Sequence, residues 1–258
     1  QWFFEANGDW RACTGKPATV CMRLFGKPGE KCGIPHEFGS TGFGVAHAAA
    51  VAASHIKLDI SKATVAIEGF GNVGTFAAKY LSDFGARIVA VSDSKGAIYN
   101  QDGLNVSDLH DTKEKTGSVV NYRPGKVLGN KEIFKLPVDI LIPAALPDVI
   151  GKDNVNSVKA KIVVEAANIP ITPEMEEILH KKGVLVVPDF VANAGGVISS
   201  YAEYRGYNPK KMFELVENKI KRNVKIVLER AEKENVKPRD AALRIAEERI
   251  NKVKRKVK

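Results

Sequence analysis

From Ala63 onward the chain alternates short, nearly continuous apolar runs with segments of helical periodicity, and no other feature restricts its fold so sharply. Strands covered on both faces lose the polar-apolar alternation of a half-exposed strand, so runs of this kind belong to a parallel sheet flanked by crossover helices. The pattern predicts strands at 64–68, 87–92, 140–142, 162–164 and 185–187, with helices over 73–84 and 173–182. Glu174, Glu176 and Glu177 suit the first turn of the second helix, where the macrodipole favours anions. Before the first strand, the alanine-rich stretch 42–58 has the propensity and small side chains for a closely packed helix, with Thr41 as its N-cap. After the last strand, residues 196–258 read as helical, broken near Tyr207–Pro209 and again near Lys237–Pro238. The expected class is α/β: a doubly wound, mostly parallel sheet with a C-terminal helical segment. Residues 1–40 are irregular, rich in Gly and Pro, and carry Trp2, Phe3, Phe4 and Trp10 without an evident core of their own.

A chain of 258 residues can bury an ordinary core. At 44% hydrophobic and 27% charged residues, with no apolar run near the roughly 20 needed to cross a bilayer, the composition is that of a soluble globular protein without a membrane partner. The first nine residues lack the basic and apolar regions of a secretory signal, which makes the cytoplasm the expected location. Cys13, Cys21 and Cys32 form an odd set with no CxxC pair and no His at zinc-ligand spacing, so free thiols and no metal are expected. The net charge of +9 is concentrated in the tail Lys252–Lys258 and in Lys219, Lys221, Arg222 and Lys225 of a mixed-charge helix. No aromatic residues interleave with these charges, so a solvated face explains them better than a nucleic-acid site.

Immediately after the first predicted strand stands Gly69-Phe70-Gly71-Asn72-Val73-Gly74, a GxGxxG that opens the first crossover helix. In that setting the first glycine permits a tight turn, the second lets the backbone approach a pyrophosphate, and the third lets helix and strand pack closely. A plain glycine-rich turn would show the same hexapeptide, but Asp93 ends the second strand about 20 residues later, where a carboxylate accepts hydrogen bonds from an adenosine ribose. Together they predict a Rossmann-like dinucleotide site. Asp93 repels a 2′-phosphate, whereas Ser94 and Lys95 partly offset that repulsion, so NAD is favoured and NADP stays open. Asp93 is equally suited to organise its own turn, a role compatible with ribose binding.

The strings EGFGNVG, VSDSKG, LIPAAL, EAANIPIT and VPDFVANAGGVISSY follow one another in this order. Over residues 25 to 250 the set resembles the coenzyme domain of the glutamate dehydrogenases, within the superfamily that also oxidises leucine, phenylalanine and valine. Ser200, one turn past Val197, matches the serine that glutamate dehydrogenases use for the substrate's side-chain carboxylate, where other members continue NAGGV with small or apolar residues. The resemblance implies that Val197 and Ser200 contact substrate, that Thr41 of STGFGV lies beside the coenzyme, and that Ala144 and Ala145 line its adenosine side. It also implies that Asn168 and Asn193 hold the nicotinamide and its ribose, for which uncharged groups that donate and accept are suited. The chain departs from the family pattern at Ala166, where EGAN is usual, at Pro147 and Asp148 after PAAL, and at Glu37, where an arginine is usual.

The implied reaction is the reversible oxidative deamination of L-glutamate to 2-oxoglutarate and ammonia. The family places its catalytic lysine and aspartate in an N-terminal domain, and that lysine motif has no counterpart upstream of Thr41. Lys16 and Lys27 both occur as GKP, the second aligning with the family's TGKP turn, and both read as turn residues. No catalytic residue is therefore assigned. The expected organisation is a remnant of the substrate domain and linker over 1–40, an NAD(P)-binding domain over 41–195, and a helical segment over 196–258 packing back toward the substrate domain. With Gln at position 1, the chain reads as a truncated glutamate dehydrogenase, inactive or weak alone and homo-oligomeric in its intact form. The alternatives are a stand-alone nicotinamide-nucleotide-binding or regulatory module, and a dehydrogenase of leucine, phenylalanine or valine.

Overall fold

The computed structural model describes residues 2–18 and 33–257. Its strands are β1 Thr64–Glu68, β2 Arg87–Asp93, β3 Gly96–Tyr99, β4 Lys126–Leu128, β5 Ile140–Pro143, β6 Ile162–Val164 and β7 Leu185–Val187. They form one seven-stranded sheet in the order β4-β3-β2-β1-β5-β6-β7. The five predicted strands pair in parallel, and β3 and β4 extend one edge antiparallel. Alternate side chains feed two cores: Val65, Ile67, Ile140, Ile142, Ile162 and Val164 enter one, Ala66, Leu141 and Val163 the other. That two-sided burial is why these strands lack polar alternation.

The helices are α1 Trp2–Asn7, α2 Ser40–His55, α3 Asn72–Asp83, α4 Val106–Thr116, α5 Pro173–Lys181, α6 Asp189–Ala192, α7 Gly195–Tyr204, α8 Pro209–Glu234 and α9 Pro238–Val257. Thr41 does not cap α2. Gly39 is the N-cap, in a left-handed conformation at φ 74°, and Thr41 lies inside the first turn. The helix also stops at His55, short of Leu58, because Lys57 turns left-handed (φ 60°) and the Leu58 N–H closes on the Ala53 carbonyl at 2.8 Å. Pro209 and Pro238 open α8 and α9, where a missing N–H costs nothing, so the terminal helical region divides where the sequence breaks. α8 buries Met212, Val216, Ile220, Val224 and Val227 as a stripe packed on α2. Lys221, Arg222 and Lys225 face solvent; Lys221 pairs with Glu217 at 2.6 Å and Lys225 with Glu229 at 3.7 Å.

Lys16 is no exposed turn residue. It is 3% exposed and forms an ion pair with the buried Glu203 of α7, whose carboxylate also accepts the backbone N–H groups of Gly15 (2.7 Å), Lys16 (3.4 Å) and Ile34 (3.2 Å). Cys13 is a free thiol, and Phe3 is exposed. Cys21, Lys27 and Cys32 lie outside the described residues, as do the side chains of Trp2, Phe4 and Trp10. Among the described residues, no helix is long and apolar enough to cross a membrane and no cluster of His, Cys, Asp or Glu is placed to hold a metal ion.

Candidate functional site

β1 sits mid-sheet with β2 on one side and β5 on the other, so the winding reverses beside it. At such a switch point the loops leaving the strand ends diverge and open a crevice at the carboxyl edge. Two clefts occupy it. One, of about 650 Å³, is lined by Gly69, Phe70, Gly71, Asp93, Ser94 and Lys113; the other, of about 740 Å³, by Thr41, Val73, Asn168, Asn193, Val197 and Ser200. Ala144 and Ala145, leaving β5, wall both. Of the site residues named from sequence, Asn72 and Gly74 line neither: Asn72 is exposed outside and Gly74 is packed within.

The glycines of the turn answer to different demands. Gly69 adopts φ 92°, which side chains rarely tolerate, and its N–H donates to Ser92 Oγ at 3.1 Å. A Cβ on Gly74 would collide with the Gly69 carbonyl oxygen, so glycine there sets how closely α3 meets β1. Gly71 is unlike both: a Cβ would meet nothing within 4 Å, and its φ of −83° suits any residue. Nothing in the chain requires glycine at 71, but a group approaching that backbone from outside would. α3 has no side-chain cap, which leaves its first-turn amides and positive dipole end for an anion.

Asp93 organises its own turn: its carboxylate accepts the Lys95 N–H at 2.9 Å, the Ser118 hydroxyl at 3.1 Å and the Val119 N–H at 2.7 Å. A carboxylate has about four lone-pair positions, so one stays for a further donor. Lys113 of α4, which no sequence motif marks, donates to the Phe70 carbonyl and lies 5.8 Å from the centroid of the Phe70 ring. Glu68 ends β1 and accepts the Ala145 N–H at 3.3 Å; burial pushes its carboxyl above the ordinary range.

In the second cleft, Asn193 Nδ2 donates to Asn168 Oδ1 at 2.9 Å and reaches the carbonyls of Ala166 and Ala167, each at 3.4 Å. This leaves the Asn168 NH₂ and the Asn193 Oδ1 as an adjacent donor and acceptor. Ala166 is accommodated in the interior, its N–H on the Pro143 carbonyl at 3.0 Å. Asp148 is left-handed at φ 54° and its N–H donates to the Ile169 carbonyl at 3.0 Å, joining the loops after β5 and β6. The first turns of α2 and α7 converge, so a Cβ on Gly196 would lie 2.9 Å from Thr41 Oγ1. Val197 is 75% exposed and Ser200 half-buried one turn on. Glu37 faces solvent 3.4 Å from His36 and lines neither cleft.

The family model for Glutamate/Leucine/Phenylalanine/Valine dehydrogenase matches residues 32–257. A glutamate dehydrogenase of Aeropyrum pernix is 46% identical over 238 residues, which cover 88% of this chain and 57% of that protein. An NADP-specific glutamate dehydrogenase of Saccharolobus shibatae is 48% identical over 204 residues, 79% of this chain and 47% of that one. Among solved structures, the hetero-hexameric glutamate dehydrogenase of Thermus thermophilus matches with a TM-score of 0.78 at 32% identity, over 91% of this chain and 59% of its own. The chain thus spans about half the length of the curated relatives it matches, and it belongs to the glutamate/leucine/phenylalanine/valine dehydrogenase family.

Proposed function

We propose that this chain binds a nicotinamide dinucleotide across the two clefts, NAD in preference to NADP, as the coenzyme-binding part of a glutamate dehydrogenase. The observation that carries the reading is Gly71, bare toward open space beside an uncapped helix start, with Ala144 and Ala145 leading on to the Asn168 and Asn193 pair. On this reading the α3 amides take the pyrophosphate, Asp93 accepts from the adenosine ribose, and the free amide of Asn168 and oxygen of Asn193 complement the carboxamide. Lys113 lowers the cost of a 2′-phosphate, so the preference for NAD is one of degree. The coenzyme supplies the hydride acceptor; the chain orients it. Ser200, beside Val197 and Asn193, receives the substrate's side-chain carboxylate, which favours L-glutamate and 2-oxoglutarate over the leucine, phenylalanine and valine substrates.

Residues 41–195 form the coenzyme domain on this reading, 196–258 turn back toward a substrate domain, and 1–40 belong to its edge. The whole protein is a cytoplasmic homo-oligomer. Deamination also needs a base of tuned pKa. Lys16, the only buried lysine among the described residues, is committed to Glu203 and lines neither cleft, so little or no turnover is expected from this chain alone.

Calorimetric titration with NAD and NADP, followed by a glutamate-oxidation assay on the same sample, tests the reading. Saturable binding, tighter for NAD, without turnover is expected; no binding of either coenzyme overturns it. Adding the N-terminal domain of a longer relative is expected to raise turnover, whereas a stand-alone nucleotide-binding module would gain nothing.

A further inference from the structure

Arg239 stands in the first turn of α9 and lines neither cleft. Its guanidinium meets three carboxylates: Nη2 donates to Glu165 at 2.6 Å, Nε to Glu176 at 2.7 Å and Nη1 to Asp189 at 3.0 Å. All three acids are buried, Glu165 fully. Burying charges is costly, and replacing such clusters with apolar residues is often neutral or stabilising, so what distinguishes this cluster is where its three acids sit.

Its partners sit at the roots of two loops. Glu165 follows β6 and precedes Ala166, Ala167 and Asn168, while Asp189 follows β7 and opens the turn that ends at Asn193. The Asp189 N–H donates to Glu165 Oε2 at 2.8 Å. Asp189 Oδ2 accepts the Ile169 N–H at 2.9 Å, at a position where the backbone is left-handed with φ 50°. A β-branched residue held there is strained and persists only where its surroundings fix it. One guanidinium therefore braces both loops, and their tips meet in the Asn193 to Asn168 hydrogen bond.

We propose that Arg239 is a positioning residue for the nicotinamide end of the coenzyme, fixing the Asn168 and Asn193 pair through Glu165 and Asp189. The proposal rests on the coenzyme-binding reading above. The cluster holds more carboxylates than cations, and burial, reinforced by Glu176 and opposed by Arg239, pushes the Glu165 carboxyl above its ordinary range. Glu165 Oε1 is buried without a partner, so Oε2 alone carries the contacts to Arg239 and to the Asp189 N–H.

The test titrates the full chain with NADH and with ADP-ribose, which lacks the nicotinamide. Arg239→Lys keeps the charge and loses the fork; Arg239→Met keeps only the apolar stem. Both are expected to weaken NADH by about tenfold or more and ADP-ribose by less than about twofold. Glu165→Leu, which removes the acceptor shared by Arg239 and the Asp189 N–H, is expected to follow Arg239→Met. Equal losses for the two ligands, or full NADH affinity in Arg239→Met, overturn the proposal. Should Arg239→Met fail to fold by circular dichroism, Arg239→Lys and Asp189→Asn carry the same comparison. A wild-type chain that binds neither ligand overturns the coenzyme reading and this inference together, a result distinct from selective retention of ADP-ribose.

Discussion

Gly71 and Gly74 stand three positions apart in one turn and exclude side chains for opposite reasons. The Gly69 carbonyl occupies the space beside Gly74, whereas the space beside Gly71 is open. Gly74→Ala is expected to destabilise the fold by about 1–3 kcal/mol. Gly71→Ala is expected to leave stability within about 0.5 kcal/mol and to weaken NAD by at least about tenfold. Thermal unfolding run beside calorimetry checks both, and an unchanged NAD affinity in Gly71→Ala removes the main support for the coenzyme reading. A second residue-scale expectation concerns His47 of α2, packed against Phe43 and Phe84 at ring-centroid distances of 4.5 and 5.1 Å, with no partner for either ring nitrogen. Burial, reinforced by Lys221 and opposed by Glu217, pulls its imidazole down to about 4. The unfolded chain takes up this proton near 6.5, which the folded chain refuses until about 4, so stability falls as pH drops through that window and levels off below it. The loss is about 3 kcal/mol. His47→Leu is expected to flatten that slope in denaturant titrations; an equal loss in variant and wild type would assign the slope elsewhere.

At the scale of elements, Glu203 joins α7 to the backbone around Gly15, Lys16 and Ile34. Glu203→Ala strips the carboxylate from a buried ammonium and three amides, a change that costs about 3–5 kcal/mol where the attachment is cooperative with the core. The expected signature is local: hydrogen exchange at these three amides accelerates ahead of β1 and β5. Uniform acceleration would mean instead that the pair holds the sheet itself. The elements also differ in how plainly the sequence announces them. The five parallel strands show as apolar runs because both their faces are covered. β3 and β4 do not, since β3 follows β2 after only two residues and β4 exposes Lys126 and Val127 at the sheet edge. α4 buries only Leu109, so its pattern is nearly all polar. Such elements are held by where they lie more than by their own periodicity.

For the whole molecule, a ligand spanning the reversal of the sheet touches loops from both halves, so binding should stabilise the domain as one unit. NAD at about 100 times its Kd is expected to add about 2.7 kcal/mol to unfolding, read as a shift in Tm. No shift at that saturation would be incompatible with a site confined to the folded state. The candidate site was legible where the backbone dictates the residue, as at Gly69 and Gly74, or where a string of residues matches a known family, as at Asn168, Asn193 and Ser200. Lys113 and Arg239 escaped that reading. Each reaches the site region from a distant helix, and a side chain arriving across the fold leaves no local pattern to recognise.

The antiparallel return of β3 gives the carboxylate at the end of β2 an unusual mount. Asp93 is paired with Gly96, so only Ser94 and Lys95 form the turn between them, a two-residue hairpin where a helix connection would otherwise begin. A hairpin turn is an exchangeable part: its central pair can be rewritten without shifting a helix or altering a core. On the coenzyme reading, Ser94 and Lys95, with Lys113 in the cleft that Ser94 lines, are the positions through which preference between the two nicotinamide dinucleotides can be changed while Asp93 keeps its hold on Ser118 and Val119.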